Sequence, residues 1–242
     1  MVKKELTMEQ RKLDVDLWAI ALISFAVLGI YMAFQNQFAA VVKDSDINVL
    51  LRVFLGAAFQ FGLAGLGIVA VSIFRKENLF AYGLNKKRAV LSIFLCSLCF
   101  IPYIVFMLFG KQITSYLPFQ SVWTTQDVLS SGFPVNVVGM LVTALAWGFF
   151  EGFNYVVISD KINRRYPSKN KWLNWGAVSC AVLCILIHGA VGVTAEGIIE
   201  MLTIFIIVYG MLMVKEYTGN AWGCVFIFVF LWNAFCKETL EK

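Results

Sequence analysis

Residues 145–158 read Leu145-Ala-Trp-Gly-Phe-Phe-Glu-Gly-Phe-Asn-Tyr-Val-Val-Ile158, an apolar run that contains one acidic residue, Glu151. The single histidine of the chain, His188, lies in a similar run, Val182-Leu-Cys-Ile-Leu-Ile-His-Gly-Ala-Val191. An ionisable side chain at membrane depth is costly unless it is paired or hydrated, so such a residue is a functional candidate by default. The first question is therefore whether both runs lie inside a membrane.

The composition of the chain is that of a membrane protein. Hydrophobic residues make up 60% of the 242 residues and charged residues only 14%, whereas a soluble domain carries roughly 25% charged residues. The chain has too little polar surface to cover a globule, so lipid is its expected solvent. Because no short apolar segment precedes a signal-peptide cleavage pattern, we expect the first apolar segment to be retained. We predict one membrane domain over residues 1–242.

Apolar segments long enough to cross a bilayer, about 20 residues each, recur along the chain. They predict an all-α, polytopic bundle of transmembrane helices with about seven spans, in a range of about six to eight. The predicted spans are residues 17–42, 49–74, 89–110, 134–159, 173–194, 197–214 and 220–236. The longest polar stretch, residues 111–136, is interpreted as an external loop with a short interfacial helix.

Basic residues are concentrated in alternate loops. The basic regions contain Lys3, Lys4, Arg11 and Lys12; Arg75, Lys76, Lys86, Lys87 and Arg88; Lys161, Arg164, Arg165, Lys169 and Lys171; and Lys215. The positive-inside rule then predicts a multi-pass protein of the cell membrane with a cytoplasmic N-terminus. Because topology explains these clusters, we predict membrane lipids and no nucleic acid as partners. Arg52, near the outer end of its span, is expected to snorkel to the surface.

Polar residues interrupt the apolar pattern at three places in the C-terminal half. Glu151 and Asn154 are three residues apart and share one helix face; His188 and Asn233 mark the other two places. Together they could activate water, with a carboxylate as general base, an imidazole as its partner and an amide as oxyanion donor. Each could instead be a hydrogen-bonding contact between helices. Zinc sites need three or more protein ligands in most cases, so no metal and no cofactor is predicted.

The depths of Glu151 and His188 depend on how far the fourth predicted span extends. If that helix ended at Ile158, Glu151 would lie about 11 Å from its cytoplasmic end and His188 about 22 Å from the start of its own span, at 1.5 Å per residue. The two side chains would then miss each other. They meet only if the helix continues through residues 160–165, a segment without Gly or Pro.

Two further segments carry a resemblance to a known family. They are Lys76-Glu-Asn-Leu-Phe-Ala-Tyr-Gly-Leu84 and Gly210-Met-Leu-Met-Val-Lys-Glu-Tyr-Thr-Gly-Asn-Ala-Trp222. In order and spacing they resemble segments of the CPBP family, which contains type II CAAX prenyl endopeptidases and bacteriocin-processing or immunity proteins. The resemblance covers roughly residue 75 to the C-terminus and implies a CPBP-like core over residues 75–236.

The catalytic motifs of that family are kept only in part. The family pattern is Glu-Glu-x-x-x-Arg, then Phe-x-x-x-His, then His-x-x-x-Asn on successive helices. Glu151, His188 and Asn233 occupy matching positions and would be general base, its partner and oxyanion donor. The departures are Phe150 and Gly152 beside Glu151, Tyr155 or Val156 at the arginine position, Cys184 for the aromatic residue and Val229 for the third-motif histidine. Asn154 and Tyr155 are the predicted binding residues.

Three functions follow as hypotheses. The first is a non-catalytic or weakly active pseudoenzyme that binds a membrane-proximal peptide or a membrane-anchored partner protein in the family's cavity. The second is an active, glutamate-dependent intramembrane endopeptidase, a hydrolase that uses Glu151, His188 and Asn233. The third is a small transporter subunit in which Glu151 and His188 conduct protons. Whether the chain is an enzyme stays open at this point.

Overall fold

The N-terminal helix α1 (Met8–Lys43) lies with much of its apolar surface uncovered. The computed structural model describes residues 6–110, 113–170, 172–189 and 191–237. Helix α1 begins at a capping box, in which Thr7 Oγ1 accepts from Gln10 N and Gln10 Oε1 accepts from Thr7 N, each at 3.1 Å. The large apolar side chains of Trp18, Leu22 and Phe25 are exposed along it. An exposed apolar face of this size fits contact with lipid rather than water.

Helices α2 (Val49–Ala64) and α3 (Leu66–Arg75) occupy the second predicted span, but they are bent by 58° relative to each other. The bend lies at Gly65, which packs against the rings of Phe61 and Phe150 and has no room for a side chain. A sharp kink at glycine is one of the few recognised causes of helix bending. After α3 a short 3₁₀ turn, Leu79–Tyr82, leads to helix α4 (Ala89–Phe109).

The region between α4 and the next long helix is more structured than a loop. It contains strand β1 (Ile113–Tyr116), which pairs antiparallel with strand β2 (Phe235–Lys237), and helix α5 (Thr125–Ser130). The expected short helix is therefore present, whereas the two-stranded sheet was not predicted.

The expectation that Arg52 of α2 snorkels to the surface was wrong, because its side chain is buried and pairs with Asp127 of α5 at 2.8 Å.

The fourth predicted span is one continuous helical segment, Val135–Arg165. It consists of α6 (Val135–Thr143), a π-helical stretch (Ala144–Phe150) and α7 (Glu151–Arg165). The helix continues past Ile158 as the pairing of Glu151 with His188 required. Its last turns contain Lys161, Arg164 and Arg165, which were assigned to a loop by the sequence interpretation and are helical instead.

Three more helices complete the bundle. They are α8 (Trp175–Ile187), α9 (Ala195–Thr218) and α10 (Trp222–Phe226), and α10 runs into a second π-helical stretch, Ile227–Trp232. Helix α9 packs against α4 and α8, which places it near the centre of the fold. Lys215 lies within α9 and not in a loop as predicted.

The fold is all-α, as predicted, apart from the small sheet. Among the described residues four helical segments are long and apolar enough to cross a membrane: Met8–Lys43, Ala89–Phe109, Val135–Arg165 and Ala195–Thr218. The bent pair α2–α3 is a fifth if it counts as one span. Helix α8 and the segment Trp222–Trp232 are apolar but shorter than a span. The chain thus has the helices of a membrane protein, and seven spans and a cytoplasmic N-terminus stay predictions.

Candidate functional site

The side chain of Glu151 is held at the junction between the π-helical stretch 144–150 and α7. π-Helical turns within α-helices occur often at functional sites, because one extra residue per turn changes which side chains face inward. The carboxylate of Glu151 is only 9% exposed. A buried carboxylate needs compensating partners, and two such partners reach it from other helices.

The partners of Glu151 are His188 and Gln60. The His188 Nε2 atom lies 3.6 Å from Glu151 Oε1, and Gln60 Nε2 donates a hydrogen bond to Glu151 Oε2 at 2.8 Å. We call these three residues the Glu151 site. The side chain of His188 is 38% exposed, so the imidazole is the accessible component of the pair. Glu151 Oε2 is therefore held by a short hydrogen bond from Gln60, whereas Glu151 Oε1 is in longer contact with the His188 ring. That ring is exposed enough to contact a ligand as well.

The position of His188 is set by the end of α8. Its backbone N–H donates to the carbonyl of Cys184 at 3.1 Å, which closes the helix. Its ring packs edge to face against Trp232, with the ring centroids 5.5 Å apart. The ring plane is thus fixed by an aromatic neighbour, and this edge-to-face arrangement is favourable for an aromatic pair.

The third predicted catalytic residue, Asn233, follows Trp232 at the end of the second π-helical stretch. Its Oδ1 accepts a hydrogen bond from Ser121 Oγ at 3.0 Å, and its carbonyl accepts from Ser121 N at 3.2 Å. Its Nδ2 is buried without a hydrogen-bond partner. Within the described part of the chain no hydrogen bond joins Asn233 to Glu151 or His188. Its role as oxyanion donor stays a prediction.

The predicted binding residues, Asn154 and Tyr155, line an apolar groove of about 790 Å³ between α1, α7 and α8. Tyr155 is otherwise buried and stacks on Phe228, with the centroids 5.5 Å apart. The groove is also lined by Leu63 and Ile187, which lie one helical turn or less from Gln60 and His188 respectively. The groove is thus lined by sequence neighbours of the Glu151 site but not by Glu151, His188 or Gln60, and it extends to Asp14 and Tyr166.

Helix contacts exclude a carboxylate side chain at position 152. A Cβ atom placed on Gly152 would lie 2.9 Å from the carbonyl oxygen of Cys224 and 3.2 Å from the Cα of Val225. Both are backbone atoms, so the neighbouring α10 cannot give way by a change of rotamer. The close packing of α7 on α10 therefore requires glycine at position 152, where the family's paired glutamate would stand.

The two segments that carry the resemblance contact each other. Gly83, with φ of 106°, accepts a hydrogen bond through its carbonyl from Ala221 N at 2.9 Å. Asn220 is completely buried, and its Nδ2 donates to the carbonyls of Asn85 and Lys87 at 2.6 and 3.0 Å. The turn before α4 is thereby joined to the loop between α9 and α10.

A second polar cluster lies at the basic end of the fold. Lys161 is completely buried, and its Nζ atom is 3.0 Å from Asp16 Oδ2 and 2.9 Å from Glu77 Oε1. Arg75 Nε is 2.7 Å from Asp16 Oδ1, and Tyr82 donates to Glu77 Oε2 at 2.7 Å. Burial, and then this hydrogen bond, raise the pKa of Tyr82 well above its usual value, so that it stays a neutral donor. We call these five residues the Lys161 cluster.

Sequence reasoning identified Glu151 and His188 but missed Gln60 and Trp232. Gln60 interrupts the apolar sequence Ala58-Phe59-Gln60-Phe61 in the second span, so the rule that singled out Glu151 could have found it too. Trp232 carries no comparable signal, because an aromatic residue in an apolar helix is ordinary.

The described cysteines and metal-ligating side chains form no further site. Cys96 and Cys99 are free thiols, and the thiol of Cys96 is buried against α9. Across the residues that the structure describes, no group of three or more His, Cys, Asp or Glu side chains is arranged to hold a metal ion. Comparisons of the chain with family models, with curated proteins and with solved structures find no match.

Proposed function

We propose that this chain is an integral membrane protein that binds a membrane-proximal peptide segment at Glu151 and His188, as a non-catalytic or weakly active relative of the CPBP peptidases. The observation that carries the proposal is the 3.6 Å separation between His188 Nε2 and Glu151 Oε1, combined with the partial exposure of the imidazole. A buried acid beside an accessible ring offers an acceptor and a donor at one place. A peptide bond presents the complementary donor and acceptor.

The groove beside the site supports a ligand that lies in the membrane. It is bordered by apolar side chains of α1 and α8, including Phe25 and Leu183. Sites that bind small molecules and peptides are in general apolar clefts with a few placed polar groups. An apolar side chain or lipid-like anchor of the bound segment would occupy the groove, and its peptide backbone would reach Glu151.

The surroundings of Glu151 favour binding over rapid hydrolysis. Gly152 has no space for a second carboxylate, and no hydrogen bond among the described residues joins Asn233, whose Oδ1 accepts from Ser121 Oγ, to Glu151 or His188. Val229 stands where the family's third motif has a histidine, and loss of one oxyanion donor lowers a hydrolytic rate by about 10²–10³-fold. The resemblance itself stays a proposal, supported by the contact between the two segments that carry it.

Site-specific photocrosslinking tests the proposal. A photoreactive residue at position 183 faces the groove, and one at position 94 of α4 is a matched control on an exposed apolar surface away from it. We expect crosslinks from position 183 to a peptide that contains a membrane segment, identified by mass spectrometry, and none from position 94. His188→Ala should abolish them while the protein still accumulates. Equal crosslinking from both positions, or crosslinks unchanged by His188→Ala, would contradict the proposal.

An intramembrane endopeptidase is the second candidate, and the same Glu151–His188 distance favours it. Glu151 would take a proton from a water molecule, whose oxygen attacks the peptide carbonyl, and the proton would pass to the leaving amine. The test uses purified protein in liposomes with the peptide that position 183 captures. Cleavage that is lost in both Glu151→Gln and His188→Ala would establish the hydrolase. Capture without cleavage would leave binding as the function.

A further inference from the structure

The cations at the basic end of the fold differ in whether a carboxylate pairs with them. Five of them have a carboxylate partner within 3.2 Å: Arg75, Lys161, Arg164, Arg165 and Lys215. Lys86, Lys87 and Arg88 form no ion pair with any described carboxylate, and neither do Arg11, Lys12, Lys76 and Lys169, but only Lys86–Arg88 are three consecutive cations that border one pocket. All three are exposed in the turn that precedes α4. We call residues Asn85–Arg88 the basic turn.

The basic turn borders an open pocket of about 600 Å³. The lining residues are Asn85, Lys86, Lys87, Arg88, Thr218 and Gly219. None of them is acidic, so the pocket presents three positive charges and no negative one. An anion with several acceptor oxygens is the ligand that such a lining fits.

The backbone of the basic turn is fixed before any ligand arrives. The buried amide of Asn220 donates to the carbonyls of Asn85 and Lys87, and Asn85 Oδ1 accepts from Lys87 N at 2.9 Å. Asn85 Nδ2 also donates to Gly219 O at 3.0 Å. Arg88 is in the left-handed conformation, with φ of 56°. A preorganised turn loses little conformational entropy on binding, which favours affinity.

Exposed apolar and aromatic side chains lie next to the basic turn. Val90, the second residue of the spanning helix α4, is 82% exposed, and Tyr217, beside the pocket, is 70% exposed. Exposed aromatic and apolar side chains next to cations are typical of the level of the lipid headgroups. Clusters of Lys and Arg immediately outside a spanning helix attract anionic lipids.

From these observations we infer that the basic turn binds the phosphate group of an anionic membrane lipid, with Lys86, Lys87 and Arg88 as the contacting residues. Their side chains would surround the phosphate in the pocket, while the acyl chains lie against the exposed surface of α4 that begins at Val90. This site is separate from the Glu151 site and does not depend on the function proposed for it.

Lipid binding by the full-length protein, measured by native mass spectrometry in detergent, tests this inference. The probes are phosphatidylglycerol and phosphatidylcholine, and the variant is Lys86→Gln/Lys87→Gln/Arg88→Gln. Each cation near a membrane surface contributes about fivefold to affinity, so the triple variant should bind phosphatidylglycerol about a hundredfold less tightly. The matched control, Arg11→Gln/Lys12→Gln/Lys169→Gln, removes the same charge elsewhere and should bind as the unaltered chain does. If the triple variant does not fold, the single variant Lys87→Gln replaces it in the test, and its affinity for phosphatidylglycerol should be about fivefold lower.

Three outcomes would overturn the inference. One is an unaltered chain that does not prefer phosphatidylglycerol to phosphatidylcholine. Another is an equal loss of binding in the two triple variants, because this would indicate a general effect of net charge. The third is full displacement of phosphatidylglycerol by millimolar inorganic phosphate, since the pocket would then be a site for free phosphate and not for a lipid.

Discussion

The Lys161 cluster and the Glu151 site both bury ionisable groups, but they satisfy them differently. Lys161 has no exposed surface and lies within 3.0 Å of two carboxylates, and Asp16 in turn pairs with Arg75. In the Glu151 site only Gln60 makes a short hydrogen bond, while His188 is at 3.6 Å and 38% exposed. The first arrangement is complete within the chain, whereas the second retains capacity for an additional partner.

This difference distinguishes a fully compensated buried charge from a buried charge that leaves room for a ligand. The Lys161 cluster joins α1, α3, α7 and the segment from Glu77 to Tyr82, so it connects elements that are far apart in sequence. A buried charge with complete compensation contributes to the architecture, and removal of one member leaves its neighbours with less compensation. A buried charge with an accessible neighbour fits a site for a ligand.

The largest expected effect comes from Lys161→Met. It removes the buried cation that pairs with both Asp16 and Glu77, and breaking a buried ion pair in this way costs about 3–5 kcal/mol of stability. The measurement is the free energy of unfolding in detergent micelles. Arg164→Gln is the control, because its pair with Glu9 is largely exposed and should contribute only about 0–1 kcal/mol. Similar stabilities of the two variants would remove the distinction between the two regions.

Gln60→Leu should have the next largest effect. It removes the short hydrogen bond to the Glu151 carboxylate, and a hydrogen bond to a charged group contributes about 1.5–3 kcal/mol. Unfolding in detergent measures the loss, and the same substitution in a Glu151→Gln background is the control. There the cost should fall to about 1 kcal/mol, because the acceptor is neutral. If the cost is equal in both backgrounds, the two side chains are not coupled.

Gly152→Ala should destabilise the protein by about 1–3 kcal/mol, because the added methyl group meets backbone atoms of α10. The comparison is Gly132→Ala, where no atom lies within 4 Å of the new Cβ and little change is expected. Thermal unfolding of both variants checks this. A tolerated alanine at position 152 would mean that α7 and α10 can separate, and the space for a paired glutamate would then be available.

Glu151→Gln should have the smallest effect on stability, within about 1 kcal/mol, because glutamine keeps an acceptor for Gln60 and removes a buried charge. Crosslinking from position 183 should nevertheless decrease strongly if the carboxylate binds the ligand. A loss of stability as large as that of Lys161→Met, with crosslinking unchanged, would show that Glu151 belongs to the architecture. Proton flux into liposomes that depends on Glu151 would instead favour the transporter hypothesis.

Prediction from sequence was most successful where the signal is local. Hydropathy over windows of helical length located each of the long apolar helices, and the absence of Gly and Pro after Ile158 anticipated that α7 continues to Arg165. Prediction from sequence failed for Lys161 and Arg52, which were treated as ordinary surface charges. Their carboxylate partners, Asp16 and Asp127, are 145 and 75 residues away, so no local pattern indicates the pairing.

By itself, the sequence determined that this chain has the all-α composition of a membrane protein, with two ionisable residues inside apolar segments. The reason is that the free energy of transferring a segment into lipid depends on the side chains of that segment alone. The tertiary structure alone decided which polar groups meet. It brought Gln60 to Glu151 across 91 residues, bent α2 against α3, closed the space at Gly152 and left the basic turn without a carboxylate. These contacts depend on how the helices pack, and packing is a property of two facing surfaces rather than of any one segment.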